Sequence, residues 1–275
     1  MSAVPDDANP HPYTTGRASE GGHWYARDGS CVYEIEMKTK PGQMRAVDLR
    51  DARKLGLVPG FSSIAQCEHK PQLEKWKLDQ MLMAAITLPR PDPTETDTQF
   101  AERVRIDAAA QAEKARERGT ALHAALQGYY EGKLVLPCDA PYVWPVVEWL
   151  NASFPGAEWQ TEQSFAHPLG YGGKCDLRSV VAVVDFKFKD FDHNGLLDKY
   201  GKPKRFAYDE HEMQLHAYEA GFGMMNAVKL NLFISSTVPG LIVPHLWPTN
   251  PSAFEAFRCL LRLWQIRKHY NSSWT

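Results

Sequence analysis

Two carboxylates and a lysine near the middle of the chain are the residues whose spacing has the clearest chemical content. Asp185 and Lys187 lie two apart at the end of the apolar run over residues 180–188, so on a β-strand they point to the same face. Asp176 comes nine residues before Asp185, just after a glycine-rich turn, and adjacent strands would bring the two carboxylates together. Such carboxylates repel each other unless a divalent cation holds both. Hard oxygen ligands suit Mg²⁺ or Mn²⁺.

This arrangement indicates metal-assisted hydrolysis of a phosphodiester bond. The lysine on the same face would orient an attacking water or stabilise negative charge. For Asp185 and Lys187 taken alone, a plain ion pair at a solvent-exposed strand end is the alternative. The neighbouring Asp176 favours the metal site, because buried charges are costly unless they are paired or bind a metal.

The sequence Asp185-Phe186-Lys187, nine residues after Asp176, resembles the signature of the PD-(D/E)XK nuclease superfamily. Three further segments resemble its RecB-like exonuclease branch, and a phage or prophage recombination exonuclease is one candidate within that branch. The segment from Arg118 to His123 resembles the helix that supplies a metal-binding histidine. The segment from Gln214 to Tyr218 resembles the Gln-x-x-x-Tyr motif on the helix after the third core strand. Glu162 resembles the acidic residue often found on the first core strand, whose role varies. The resemblance covers about residues 100–250 and leaves out residues 1–95.

The resemblance implies an α/β fold with a restriction-endonuclease-like core, in which helices flank a mixed β-sheet. It also implies that Mg²⁺ (or Mn²⁺) is held by His123, Asp176, Asp185 and the main-chain carbonyl of Phe186. Lys187 would then position or activate the water, while Gln214 and Tyr218 organise the substrate or the lysine. From the residues alone, a buried structural histidine and a solvated helix face remain open for His123 and for the Gln214–Tyr218 pair.

The function that follows from the resemblance is a Mg²⁺-dependent deoxyribonuclease, an exonuclease of recombination or repair. A structure-specific or restriction-like endonuclease stays open as one alternative, and a catalytically inactive nucleic-acid-binding module as another. The expected partners are DNA and a single-strand annealing protein or another recombination partner. The chain has no Walker-type Gly-Lys-Ser/Thr motif, so we expect no ATP hydrolysis by this chain alone.

A basic segment follows the Asp185 strand and is a candidate nucleic-acid contact. Five cations lie between residues 188 and 205, namely Lys189, Lys199, Lys202, Lys204 and Arg205. Placed beside a nuclease site, they would clamp phosphates. A solvated loop whose charges serve solubility is the alternative.

Composition sets the outer limits on these hypotheses. The chain has 275 residues, 44% of them hydrophobic, and a formal net charge of −2, which excludes a strongly basic, histone-like nucleic-acid binder. No apolar stretch approaches the roughly 18 residues that a membrane span needs, and the N-terminal residues lack the apolar centre of a secretory signal. We therefore expect a cytoplasmic protein.

The elements that must position these residues can be read from periodicity and turn signals. We divide the chain into a disordered tail (1–22), an N-terminal hairpin and helical extension (23–95) and the nuclease domain (96–275). The extension has a turn at Asp28-Gly29 and helices that Pro59 and Pro71 interrupt. In the nuclease domain the pattern predicts helices over 97–117, 119–132, 142–153, 208–224 and 251–270, and strands over 159–166, 171–177, 180–188, 228–235 and 241–246.

Overall fold

The computed structural model describes residues 22–89, 94–198 and 200–274. The tail predicted to be disordered, except for its last residue, and Lys199 of the basic segment lie outside these residues. Contacts divide the chain into two compact units, residues 22–67 together with 121–274, and residues 68–120. The division at residue 95 that the sequence suggested stays a prediction.

Nine strands and seven α-helices are present among the described residues. The strands are β1 (Trp24–Tyr25), β2 (Glu34–Glu36), β3 (Met44–Ala46), β4 (Val58–Pro59), β5 (Gln160–His167), β6 (Tyr171–Arg178), β7 (Ala182–Lys189), β8 (Val228–Ser235) and β9 (Ile242–Trp247). The helices are α1 (Leu49–Leu55), α2 (Phe61–Ala65), α3 (Pro71–Thr87), α4 (Asp97–Tyr130), α5 (Ala140–Ser153), α6 (Asp209–Gly221) and α7 (Pro251–Arg267).

The first unit is organised around a five-stranded sheet with the order β5-β6-β7-β8-β9. Strands β5, β6 and β7 form an antiparallel meander, β8 lies parallel to β7, and β9 is antiparallel to β8. A parallel neighbour requires a crossover connection, and α6 lies in the connection between β7 and β8. The predicted fold class, an α/β fold with a mixed sheet flanked by helices, is confirmed.

Apolar side chains cover both faces of the central strand β7. Val184 and Phe186 pack in a cluster with residues of α5 and the last turns of α4, whereas Val183 packs in a second cluster with residues of α2, α6 and α7. A strand covered on both faces has a nearly continuous apolar sequence, which explains the uniform burial of the first half of β7. Odd-numbered residues of β7 therefore point toward α6.

The N-terminal segment of the first unit packs against β6. Strand β1 pairs with β4, and a parallel bridge joins Gly60 to Gly172. A side chain at position 172 would not fit, because a Cβ atom there would lie 2.7 Å from the ring of Tyr25. The turn predicted at Asp28-Gly29 is present, with the Gly29 N–H donating to the Ala26 carbonyl at 2.9 Å.

The second unit contains α3 and the first part of α4. These helices contact each other through Ala84, Val104 and Ala108. Arg103 forms an ion pair with Glu95 at 2.8 Å. The interruption that the sequence predicted at Pro71 lies between α2 and α3, and Pro71 itself is the first residue of α3. Proline is tolerated there because it lacks the N–H that the first turn leaves unpaired anyway.

One prediction about the helices is wrong. The sequence suggested two helices meeting near Gly119-Thr120, whereas α4 is a single helix. A lone glycine inside a helix costs only about 1 kcal/mol relative to alanine, and the surrounding Ala, Arg, Glu and Leu residues favour the helix. Among the residues described by the structure, no helix is long and apolar enough to cross a membrane.

Candidate metal centre

The site lies where the ladder between β6 and β7 stops. These strands pair only at Leu177 with Val184 and Arg178 with Val183, and the next residues in this register are Asp176 and Asp185. In place of a main-chain acceptor, the Phe186 N–H donates to Oδ2 of Asp176 at 2.7 Å. The strand pair therefore opens at the two carboxylates.

The alternation of side chains between the two faces of the sheet is also interrupted at this point of β6. Cys175 packs in the cluster on the α6 side of the sheet, whereas Leu177 packs in the cluster on the α5 side. Residues two apart on a regular strand share a face, so the alternation is interrupted at Asp176.

Asp176 and His123 form the first pair of candidate ligands. Nε2 of His123, on the C-terminal part of α4, lies 3.1 Å from Oδ1 of Asp176. Despite this short distance, the buried nitrogen has no hydrogen-bond partner of good geometry among the described residues. Adjacent ligands of an octahedral Mg²⁺ site, each about 2.1 Å from the ion, are about 3 Å apart. The pair therefore fits a shared cation.

Glu162 completes a group of three ligands with this pair. Single ligand atoms of His123, Glu162 and Asp176 all lie within 4.8 Å of one another. Glu162 also forms an ion pair with Lys174. Two carboxylates and one imidazole are a donor set that suits Mn²⁺ or Mg²⁺, so the residues present fit the divalent cation that the sequence pattern implied.

The backbone at Glu162 is strained. Its φ angle is +54°, in the left-handed region that non-glycine residues seldom adopt. Beside it, the Thr161 hydroxyl donates to the main-chain carbonyl of Asp176 at 2.9 Å. Strained residues of this kind cluster at functional sites, where the surrounding structure must hold them in place.

Asp185 lies outside that group of three and makes other contacts. Nζ of Lys187 donates to Oδ1 of Asp185 at 2.9 Å and to Oε1 of Gln214 at 3.3 Å. Nε2 of Gln214 donates in turn to the Tyr218 hydroxyl at 3.1 Å. The structure thus brings Asp185, Lys187, Gln214 and Tyr218 into one hydrogen-bonded chain.

Asn231 and Trp247 also belong to this network, and the sequence analysis did not single them out. Asn231 on β8 is 0% exposed, and its Nδ2 donates to Oδ2 of Asp185 at 2.7 Å. Nε1 of Trp247 donates to Oδ1 of Asn231 at 2.7 Å. A signal was present, because Lys229 and Asn231 interrupt the otherwise apolar run from residue 228 to 234.

The two carboxylates of the site differ in acidity. Burial raises the pKa of Asp185 above its usual value, and the charge of Asp176 acts in the same direction, against the opposing effect of Lys187. Burial also acts to raise the pKa of Asp176, but His123, Lys187 and the Phe186 N–H together outweigh it and the pKa is lowered. Paired groups whose pKa values are pushed apart in this way are typical of functional sites.

The carboxylates of the site raise the pKa of its two basic groups, Lys187 and His123. Burial acts to lower the pKa of Lys187, but the carboxylates of Asp185 and Asp176 raise it above its usual value. Burial acts in the same way on His123, where Asp176 raises the pKa. Lys187 is therefore an ammonium ion that donates hydrogen bonds.

The contacts of the described residues do not test two sets of predicted roles, cation binding by Asp185 and Phe186 and nucleic-acid binding by the basic segment. Main-chain ligation by the Phe186 carbonyl and ligation by Asp185 stay predictions, since the observed contacts involve the Phe186 N–H and the Lys187 and Asn231 side chains. In the basic segment, Nζ of Lys189 donates to the Phe206 carbonyl at 3.0 Å. Arg205 pairs with Asp209 at 2.5 Å, whereas Lys202 and Lys204 are exposed. Their nucleic-acid contacts also stay predictions.

The comparisons with known proteins add little to this site. No protein-family model matches the chain, and no curated protein matches its sequence. The fold is similar to that of an alkaline exonuclease, LHK-Exo, from Laribacter hongkongensis, with 13% sequence identity, 79% of this chain and 90% of that chain covered, and a TM-score of 0.42. It is also similar to the protein SSO0001, with 13% identity, 71% and 86% covered, and a TM-score of 0.33. Similarity at this level carries no argument about function.

Proposed function

We propose that the chain is a metal-dependent nuclease that hydrolyses phosphodiester bonds in DNA. The observation that carries the proposal is the convergence, at the opening between β6 and β7, of a group with cation-ligating geometry and a half-buried lysine. His123, Glu162 and Asp176 form that group, and Lys187 contacts Asp185 beside it. A structural ion pair would need neither the imidazole nor the strained backbone of Glu162.

The proposal gives each residue a role, drawn from its contacts or, for Asp185 and the Phe186 carbonyl as ligands, from the sequence resemblance. His123, Glu162 and Asp176 would hold the cation, with Asp185 and the Phe186 carbonyl as further ligands. The cation would supply Lewis-acid activation of the phosphate and of the attacking water. Lys187, as an ammonium ion, would orient that water and stabilise the charge that develops on the phosphate.

Gln214 and Tyr218 would keep the lysine in place. Gln214 accepts from Nζ of Lys187 and donates to the Tyr218 hydroxyl, so the amide fixes the direction in which the ammonium group points. Burial raises the pKa of Tyr218 well above its usual value, so this hydroxyl stays protonated. Through these two side chains, α6 would hold Lys187 in position at the site.

The finer parts of the proposal concern the biological reaction. We place the chain in the RecB-like branch of the PD-(D/E)XK superfamily, as a Mg²⁺-dependent or Mn²⁺-dependent exonuclease of recombination or repair. It would act in the cytoplasm, with DNA as substrate and a single-strand annealing protein or another recombination protein as partner. The cations Lys189, Lys202, Lys204 and Arg205 would contact the phosphate backbone near the site.

A degradation assay tests the proposal. The purified chain is incubated with linear double-stranded, linear single-stranded and closed circular DNA in Mg²⁺, in Mn²⁺ and in EDTA. We expect the linear substrates to be degraded only with a metal, and Asp176→Asn and Asp185→Asn to lower the rate by about 10²-fold or more. Glu255→Gln, on the exposed face of α7, is the control and should cut at the wild-type rate.

The substrates also separate the rival functions. Closed circles that survive while linear DNA disappears indicate an exonuclease, and circles that are cut indicate an endonuclease. Wild-type protein that leaves every substrate intact in both metals refutes the proposal. Metal-independent DNA binding in that case would favour the inactive binding module.

A further inference from the structure

Asn231 is a buried polar residue next to the candidate site that has no role in the proposed ligand set. It lies on β8 directly beside Asp185, with which it is in register in the parallel pair β7–β8. Its side chain points to the same face as Asp185, toward α6, and no part of it is exposed. A buried amide is costly unless both of its polar groups are paired.

The two partners of Asn231 fix the orientation of its amide. The indole N–H of Trp247 can only donate, and a carboxylate normally only accepts. The amide oxygen must therefore face Trp247 and the amide nitrogen must face Asp185, as the two 2.7 Å contacts require. A flipped amide would place oxygen against the carboxylate and nitrogen against the indole N–H. The identity of residue 231 is thus determined by the chemistry on both sides.

We propose that Asn231, held by Trp247, is a positioning residue that fixes the carboxylate of Asp185 for metal binding and catalysis. The inference rests on the proposed nuclease function and extends it. Lys187 and Asn231 together hold the two oxygens of Asp185, and the sequence pattern indicated only that Lys187 lies on the same face as this carboxylate. The edge strand β9 thus contributes to the site indirectly, because Trp247 holds Asn231 in its orientation.

The geometry excludes simple substitutes for Asn231. Leucine has a similar volume but would leave the indole N–H without its acceptor and would remove the Asn231 donor from the Asp185 carboxylate, which would keep only its contact with Lys187 among those described. Aspartate would place a second carboxylate against Asp185, and the two would repel. Residues that orient metal ligands in this way typically change metal affinity or activity by about 10-fold to 100-fold when they are replaced.

The test measures Mn²⁺ binding and cleavage separately. Binding of Mn²⁺ to the whole chain, followed by the loss of the free-ion EPR signal, gives the dissociation constant without any cleavage. We expect Asn231→Leu to weaken Mn²⁺ binding by about 10-fold or more and to lower kcat similarly, with KM for DNA unchanged. Trp247→Phe removes the N–H that holds Asn231, together with part of the indole ring, and should act in the same direction with a smaller effect.

Two controls separate positioning from a loss of stability. Ser235→Ala removes another buried hydrogen bond of β8, to the Phe191 carbonyl, and should leave Mn²⁺ binding and kcat unchanged. In the Asp185→Asn background, Asn231→Leu should cause no further loss of Mn²⁺ affinity, because the group that it positions is gone. Trp247→Phe provides the same test if Asn231→Leu does not fold.

The outcomes also separate this inference from the proposed function. Suppose that the wild-type chain cleaves DNA and that Asn231→Leu and Trp247→Phe both have the wild-type Mn²⁺ affinity and kcat. This result overturns the positioning role alone. An undiminished effect of Asn231→Leu in the Asp185→Asn background overturns it as well. A chain that shows the expected Mn²⁺ effects but cuts no nucleic acid overturns the nuclease proposal and leaves the positioning role standing. A chain that binds no Mn²⁺ overturns both.

Discussion

Replacing Lys229 with methionine should lower the free energy of unfolding by about 3–5 kcal/mol, because it leaves the carboxylate of Glu219, which is only 13% exposed, without its lysine counter-ion. Lys229 is 1% exposed, and its Nζ lies 2.9 Å from Oε2 of Glu219 and 3.0 Å from the Ala227 carbonyl. Glu219 accepts a further hydrogen bond from the Ala227 N–H at 2.8 Å. The pair joins α6, which carries Gln214, to β8.

The magnitude follows from the separation and the burial of the two charges. At an effective dielectric constant of about 20, unit charges about 3 Å apart attract by about 5–6 kcal/mol. Removing both ions from water costs a comparable amount, so the intact pair contributes little net stability. A single substitution removes the attraction and leaves much of the desolvation cost. The double variant Glu219→Gln with Lys229→Met should therefore recover most of the loss.

Urea unfolding of the wild type, both single variants and the double variant measures these free energies. The matched control is Lys75→Met, which breaks an ion pair with Asp79 at 2.7 Å on the exposed face of α3. Exposed pairs of this kind contribute about 0–1 kcal/mol, so this variant should be close to the wild type. Losses below about 1 kcal/mol for both Lys229→Met and Glu219→Gln would contradict the reasoning. So would a double variant as unstable as the two single losses added together.

Two further predictions concern the lysines at the end of β7. Gln214→Leu should lower kcat by about tenfold, because it removes the amide oxygen that faces Lys187. Tyr218→Phe keeps that oxygen and should lower kcat less. Equal losses of kcat in steady-state kinetics would contradict the role of Gln214 in positioning Lys187. Burial lowers the pKa of Lys189 to about 8. Between about pH 8 and 10, the unfolded chain therefore binds more protons at this residue than the folded chain does. The free energy of unfolding should rise with pH over this range, by up to about 3 kcal/mol. Urea unfolding at pH 7.5 and 10 should show this rise in the wild type relative to Lys189→Met, and an unchanged difference between the two proteins would contradict it.

Short-range periodicity was enough to predict the parts of the site that lie within one element. Asp185 and Lys187 share a face because they are two apart on a strand, and their side chains are in contact at 2.9 Å. Gln214 and Tyr218 are one helical turn apart, and their side chains form a hydrogen bond at 3.1 Å. The order of helices and strands around them was also predictable, because the spacing of apolar residues differs between helices and strands.

Contacts between elements were harder to predict. The long-range partners Asn231 and Trp247 depend on strand register, which the apolar pattern of β8 alone does not specify. Periodicity also gives no sign that Glu162 adopts a left-handed backbone conformation. Buried polar residues in an apolar strand were the available signal, and both Lys229 and Asn231 turned out to be fully paired.

Asp176 combines a proposed ligand role with a structural contact, and a change to alanine cannot separate the two. Its Oδ2 accepts the Phe186 N–H that the open ladder leaves without a main-chain partner, and its Oδ1 lies beside His123. A change to alanine would remove a ligand and also leave a main-chain N–H without an acceptor, which costs about 1–3 kcal/mol if the group is buried. Glu162 has a simpler environment, because its ion-pair partner Lys174 is partly exposed and can turn to solvent. A loss of Mn²⁺ affinity in Glu162→Gln without a loss of stability would therefore be the cleaner measure of ligation.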